Sequence, residues 1–220
     1  MPKFFVVSTP IGNLDDISAR ALETLRRVDF ILCEDTRRTK KLLNHYNITT
    51  KTTSYHQHSK LAKINYILRL SKNNDLALVC DAGTPGISDP GNKLIEKIVE
   101  TGEDIEIIPI PGASALTALA SIAGFPMDRF LFLGFIPQKK KRRKFFEKIL
   151  ESEYPVVIYE SCHRILKTLN QLKELSPNLE IVVGRELTKK FETVYRGRID
   201  KVIEKIEKDK VKGEFVIVIK

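Results

Sequence analysis

Short runs of consecutive apolar residues alternate along this chain with longer stretches in which apolar positions recur every three or four residues, the pattern of strands interleaved with amphipathic helices. Phe4-Phe5-Val6-Val7 and Phe30 to Cys33 predict strands, as do a short segment from Thr52 to His56 and the run Ile105 to Ile110. Leu76 to Cys80 is almost continuously apolar, as a strand buried on both faces should be. Between these lie predicted helices over Asp15 to Val28, Arg37 to Tyr46 and Lys60 to Leu70. A fourth carries Leu94, Ile95, Ile98 and Val99, with Asp89 as its N-cap, Pro90 in its first turn and a stop near Gly102. Pro111-Gly112 leads into a small-residue helix from Ala113 to Ala123, and Gly124-Phe125-Pro126 then interrupts the pattern. Beyond it, Phe130 to Phe135, Pro155 to Tyr159, Ile181 to Val183 and Phe215 to Ile219 predict strands, with helices around Phe145, Leu169 and Ile203. The expected fold is α/β in two tandem domains, residues 1–123 and 124–220, each a sheet covered by helices.

Three of the loops that follow predicted strands hold glycine and proline together with small polar residues: Ser8 to Asn13, Asp81 to Asp89, and Pro109 to Ser114. In open α/β sheets ligands bind beyond the carboxyl ends of strands, where such loops converge, and glycine lets the backbone approach a ligand closely. The loops contain neither G-x-x-x-x-G-K-[ST] nor G-x-G-x-x-G, which argues against a triphosphate cradle or a dinucleotide site. A loop framed by Asp81 and Asp89 without a lysine suits a neutral or cationic small molecule better than a phosphate.

Charge narrows the partners. The 220 residues carry 37 Lys+Arg against 28 Asp+Glu, a formal net charge of +9. Six cations follow one another from Lys139 to Lys144 (Lys139, Lys140, Lys141, Arg142, Arg143, Lys144), ahead of Phe145 and Phe146. Such a run holds a polyanion or forms a solvated helix start. The opening apolar run is too short for a signal peptide and no stretch reaches the length of a membrane span, so the expectation is a soluble, cytoplasmic protein. Three widely spaced cysteines, Cys33, Cys80 and Cys162, suggest neither a disulfide framework nor a zinc site. His56 and His58 would share a strand face, but with no third ligand evident no metal is expected.

Ser8-Thr9-Pro10-Ile11-Gly12-Asn13-Leu14, Cys33-Glu34-Asp35-Thr36-Arg37, Ser54-Tyr55-His56, Asp81 to Pro85 with Ser88 to Gly91, Pro111 to Ala115, Gly134 to Pro137 and Arg185 to Lys189 occur in the order seen in one family. The chain closely resembles the ribosomal RNA small-subunit 2′-O-ribose methyltransferases, which modify a decoding-centre cytidine of bacterial 16S rRNA and belong to the tetrapyrrole-methylase class. The resemblance implies S-adenosylmethionine held in a cleft between two domains, and a homodimer whose partner is 16S rRNA or the small ribosomal subunit. Carried over residue by residue, it implies donor contacts at Pro10 and Gly12, at Gly83, Thr84, Pro85 and Ile87, and at Ser114 and Ala115. Tyr159 or Glu160 after its strand, Leu187 and Phe215 would add contacts from the second domain. Where the family usually shows Glu-Ser-Pro-His-Arg, this chain has Glu160-Ser161-Cys162-His163-Arg164, a change that bears on the local turn.

Methyl transfer from a sulfonium to a hydroxyl is an in-line displacement, accelerated mostly by alignment and completed by removal of the hydroxyl proton. Asp35, Glu160 and Glu186 are the expected proton acceptors, each with an ion pair or helix cap as its alternative role. RNA contacts are expected from Arg37, His56, Lys139, Lys140, Lys141, Arg142, Arg143, Arg164 and Lys189, with Tyr55, Phe135 and Phe146 as stacking surfaces or core. Two rival readings stay open at this point. One is a methylase acting on a carbon of a tetrapyrrole precursor, and the other is a non-catalytic RNA-binding or assembly protein with a vestigial pocket.

Overall fold

The apolar runs of the first half become strands, and all of them run parallel. In a computed structural model, which describes residues 1–56 and 59–220, β1 (Lys3–Val7), β2 (Phe30–Cys33), β3 (Lys51–Ser54), β4 (Leu76–Leu78) and β5 (Glu106–Ile110) form one sheet in the order β3-β2-β4-β1-β5. His58 lies outside the described residues. Side chains alternate across the pleat: Phe5 and Val7 pack with Ala21, Leu25 and Leu43, and Phe4 with Ile64, Ile67, Leu94 and Ile98. Helices α1 (Ala19–Arg27) and α2 (Thr36–His45) therefore cover one face, and α3 (Leu61–Ser71) and α4 (Asn92–Thr101) the other. With both faces dry, the strands need no polar alternation, which is why Leu76 to Cys80 reads as a continuous apolar run.

Two helix starts differ from expectation. The helix predicted from Asp15 is split: Asn13 caps a short 3-10 turn, Leu14–Asp16, and Ser18, whose hydroxyl accepts from Ala21 N at 3.1 Å, starts α1 at Ala19. Helix α4 begins at Asn92 behind Gly91 at φ 150°, a conformation open to glycine, so Asp89 is not its cap. Asp89 lies against the Cys80 thiol, which burial and this carboxylate push well above the usual thiol range.

The second sheet is mixed, in the order β6 (Leu131–Phe135), β7 (Val156–Ser161), β10 (Glu214–Ile219), β8 (Glu180–Arg185), β9 (Thr193–Arg198), with only the β6–β7 pair parallel. Helices α6 (Arg142–Leu150), α7 (Ile165–Leu175) and α8 (Ile199–Lys208) bury Phe146, Ile149, Leu169, Leu172, Val202 and Ile206 on one of its faces. The chain divides into two compact units, Met1–Ser114 and Ala115–Lys220. The division falls before α5 (Ala115–Ser121) rather than after it, because α5 packs on β7 and β10: a Cβ added to Gly184 would lie 2.9 Å from Leu119 Cδ1. No helix among the described residues is long and apolar enough to cross a membrane.

Candidate active site

Because β4, β1 and β5 are adjacent and parallel, the three glycine-bearing loops leave the sheet at one edge, where hydrogen bonds lace them together. Thr9 and Gly83 exchange backbone bonds: Thr9 N donates to Gly83 O at 2.9 Å, and Gly83 N to Thr9 O at 3.0 Å. Ser8 N donates to Ile110 O at 3.1 Å. The Thr84 hydroxyl is the node, 2.9 Å from Ser8 Oγ and donating to Ala113 O at 3.3 Å. Two glycines permit this closeness: Gly83 sits at φ +83°, and a Cβ on Gly112 would come within 3.0 Å of Ser8 Cβ. Pro10, Gly83 and Pro85 are buried beneath the laced loops, Gly12 is exposed, and Thr84, Ser114 and Ala115 are half-buried. Ile87 stands out with 42% of its surface exposed, an apolar side chain beside a rim of small uncharged residues. A rim of hydroxyls, carbonyls and small apolar groups without a lysine suits a cationic sulfonium compound better than a phosphate.

One strand over, the end of β2 carries a set of ionisable groups. Asp35 caps α2 and is held by Arg37, whose N, Nε and Nη2 donate to its carboxylate at 2.8, 3.1 and 2.9 Å. These bonds hold its carboxyl down at about 2. Asp35 N donates to Asp81 Oδ1 at 3.2 Å, and Arg38 pairs with Asp81 at 3.1 Å, so this turn is tied to the Asp81 loop. Sequence reasoning passed over Glu34. Half-buried, it makes no hydrogen bond to another described residue, and burial and Asp81 push its carboxyl above the usual range against the opposing pull of His56 and Arg38. The signal for it was there, in two adjacent acids closing an apolar strand. His56 is exposed at the end of the neighbouring strand, where its N–H bonds Ser59 Oγ at 3.0 Å. Arg37 is exposed but already engaged by Asp35.

In the second unit several expected site residues turn out to be internal. The predicted strand ends at Tyr159, but β7 continues through Ser161 and Glu160 within it is 1% exposed. Its carboxylate accepts from Arg164 Nη2 at 2.7 Å, Thr168 Oγ1 at 2.7 Å and Ser161 N at 2.8 Å, so it is engaged within the protein rather than turned to solvent. Arg142 is 8% exposed and bonds Gln171 Oε1, Thr168 Oγ1 and Pro137 O at 2.7, 2.6 and 3.2 Å, so it does not stand with its exposed neighbours Lys139, Lys140, Lys141, Arg143 and Lys144. Arg164 spends a second nitrogen on Ile136 O at 3.0 Å. The turn after β7 closes as Arg164 N donates to Ser161 O at 3.0 Å, and Cys162 packs against the core.

Glu186, at φ 51°, accepts from Lys189 Nζ and Glu214 N, both at 2.9 Å. Burial would raise its carboxyl, but these donors bring it below the usual range. Lys189 also bonds Glu214 at 2.8 Å, so both residues fasten the β8 exit to β10. Leu187 is buried against Gly184, and Phe215 is 2% exposed within the core. Tyr159 is half-buried, edge-on to Phe132 and Phe135, and Phe135 itself is exposed. Tyr55 and Phe146 belong to the core.

A model of the family of Tetrapyrrole (Corrin/Porphyrin) Methylases matches residues 3–203. The chain belongs to this family. As a tetrapyrrole methylase it is a methyltransferase whose methyl donor is S-adenosylmethionine, in agreement with the lysine-free rim of the laced loops. The Ribosomal RNA small subunit methyltransferase I of Thermotoga maritima is 42% identical over 220 residues, spanning 100% of this chain and 98% of that protein. The protein of the same name from Hydrogenobaculum sp. is 46% identical over 221 residues, with 99% and 95% covered. Among solved structures, a diphthine synthase superposes with a TM-score of 0.76 at 14% identity over 99% of this chain and 89% of its own. The cobalt precorrin-4 methyltransferase CbiF gives 0.70 at 16% identity, covering 99% and 94%. At such identities these two show the fold alone.

Proposed function

We propose that this methyltransferase transfers a methyl group to the ribose 2′-hydroxyl of a cytidine in the decoding centre of bacterial 16S rRNA, acting in the cytoplasm as a homodimer. The observation that carries the reading is identity of 42% to 46% along nearly the whole chain to proteins named for methylating the small-subunit ribosomal RNA. The bound donor supplies an electrophilic methyl on a sulfonium, whose thioether is already a good leaving group. The chain's task is alignment, which contributes up to about 7 to 11 kcal/mol of barrier reduction when the reacting atoms are held in line. Thr84, fixed by Ser8 and Ala113, keeps the loop rim in one shape, while Ile87 offers an apolar surface to the adenosyl group.

At the end of β2, Asp35 stays ionised and orients the hydroxyl. Glu34 takes its proton, since a carboxyl nearer neutrality is the better general base. Lys139, Lys140, Lys141, Arg143 and Lys144, exposed in succession, hold RNA phosphates, and exposed Phe135 offers a ring to an unstacked base. Incubating the protein with labelled S-adenosylmethionine and small ribosomal subunits lacking the modification, then digesting the RNA to nucleosides, tests the reading. Label on the ribose of one cytidine is expected; label on a base or on no RNA at all refutes it.

A further inference from the structure

Arg142 belongs by sequence to a run of six cations, yet in the fold it shares a helical stripe with Phe146 and Ile149 and points into the core. Its guanidinium lies 5.0 Å from the Phe146 ring centroid, and its three bonds go to Gln171, Thr168 and Pro137. The Thr168 hydroxyl, 0% exposed, passes the chain on to Glu160, and Glu160 passes it to Arg164. The two arginines end on successive carbonyls of the segment leaving β6, Arg164 on Ile136 O and Arg142 on Pro137 O. Between Pro137 and Arg142 lie Gln138, Lys139, Lys140 and Lys141, all exposed, with Lys141 at φ 67° turning the chain into α6. One buried side chain thus ties the end of this turn to its beginning. A buried ion network of this kind adds little net stability over apolar packing, but it can fix one geometry. Successive lysines repel, and a slack turn would splay them; ordering them in advance lowers the entropy lost on binding a polyanion.

We infer that the buried chain Arg142–Thr168–Glu160–Arg164 is a clamp that sets the exposed cationic strip for RNA, with Arg142 and Arg164 as positioning residues rather than RNA ligands. The inference rests on the ribosomal RNA reading above. It separates the six cations into one internal anchor and five phosphate contacts, which their sequence alone does not do. Thr168→Val tests it best, because Thr168 is fully buried and carries no charge, so it changes nothing an RNA could touch directly.

RNA affinity, donor affinity by calorimetry, thermal midpoint and kcat at saturating RNA are measured for Arg142→Met, Thr168→Val, Lys139→Ala/Lys140→Ala and Leu172→Ala. Leu172 lines the same core without joining the clamp, so its variant reports plain destabilisation. Arg142→Met and Thr168→Val are each expected to weaken RNA binding about tenfold. Donor affinity should hold and kcat at saturation change less than twofold, whereas Leu172→Ala lowers the midpoint and leaves RNA affinity alone. If Arg142→Met weakens RNA binding and Thr168→Val does not, Arg142 is itself the ligand and the clamp is overturned. An equal loss in Leu172→Ala overturns it too, since the effect is then one of stability. If Lys139→Ala/Lys140→Ala leaves RNA binding intact, the strip is not the contact and the clamp has nothing to position. Continued labelling of ribose in that double variant shows the enzymatic reading surviving by itself.

Discussion

Replacing Glu160 separates a structural carboxylate from a catalytic one. Glu160→Ala removes an acceptor of three hydrogen bonds and leaves the Arg164 guanidinium without its counter-charge. Deleting one partner of a buried ion pair costs about 3 to 5 kcal/mol. Arg164 is 23% exposed and keeps its bond to Ile136 O, so part of its charge can turn to water and the lower end, about 3 kcal/mol, is expected. For a chain of this length unfolding as one unit, that lowers the melting midpoint by roughly 6 to 12 °C. Glu160→Gln keeps shape and acceptor oxygen but loses the charge, and should fall between wild type and the alanine variant. Circular dichroism melts give the midpoint; methyl transfer is then assayed well below it, where both variants are folded. The expected result is a large loss of stability with kcat near wild type for Glu160→Gln. A wild-type midpoint with a hundredfold fall in kcat for that variant would overturn the assignment and return Glu160 to the chemistry.

Three further outcomes follow from the same geometry. Thr84→Val removes the hydroxyl shared between Ser8 and Ala113; it should weaken donor binding about tenfold by calorimetry while lowering stability by only about 1 kcal/mol. Glu34 must be ionised to accept a proton, so activity should fall as pH drops through its raised value, an acid limb above the ordinary range for glutamate. The groups facing it are Asp81, His56, Arg38 and Asp35, and Glu34→Gln should lose both most of kcat and this limb, with donor affinity retained; an unaltered pH–rate profile would remove Glu34 from the reaction. Lys139→Ala/Lys140→Ala should reduce the slope of log affinity for single-stranded RNA against log salt by about 1.4, and an unchanged slope would exclude these lysines as phosphate contacts.

The apolar runs made most strands legible because burial on both faces, or on one, leaves a direct trace in residue type. Strand β9 left little trace: in Thr193–Arg198 only Tyr195 is buried, as befits an edge strand paired on one side to β8. The place of α5 was hidden for another reason, since Gly124-Phe125-Pro126 marks a break in the chain while Leu119 decides which sheet the helix joins. At the site, the convergence of the three loops could be read from glycine and proline at strand exits. The inward turn of Arg142 was also readable, from its spacing to Phe146 and Ile149, but the eye is drawn to the charge run that conceals it. The satisfaction of Glu160 by Thr168 was not readable, because it joins a strand end to a helix eight residues later through tertiary packing alone.

The position of β1 carries a consequence for how the molecule is made. Phe4 to Val6 pair with Leu76 to Leu78 on one side, and Lys3 to Val7 with Glu106 to Ile110 on the other. As the nascent chain leaves the ribosome, this greasy segment therefore waits for about a hundred residues before both its neighbours exist, and non-local parallel pairing of this kind is slow and prone to misassociation. The Ser8 to Asn13 loop attached to it can reach its final shape only when β5 arrives, so competence to bind the donor should appear late, with the last strand of the first sheet.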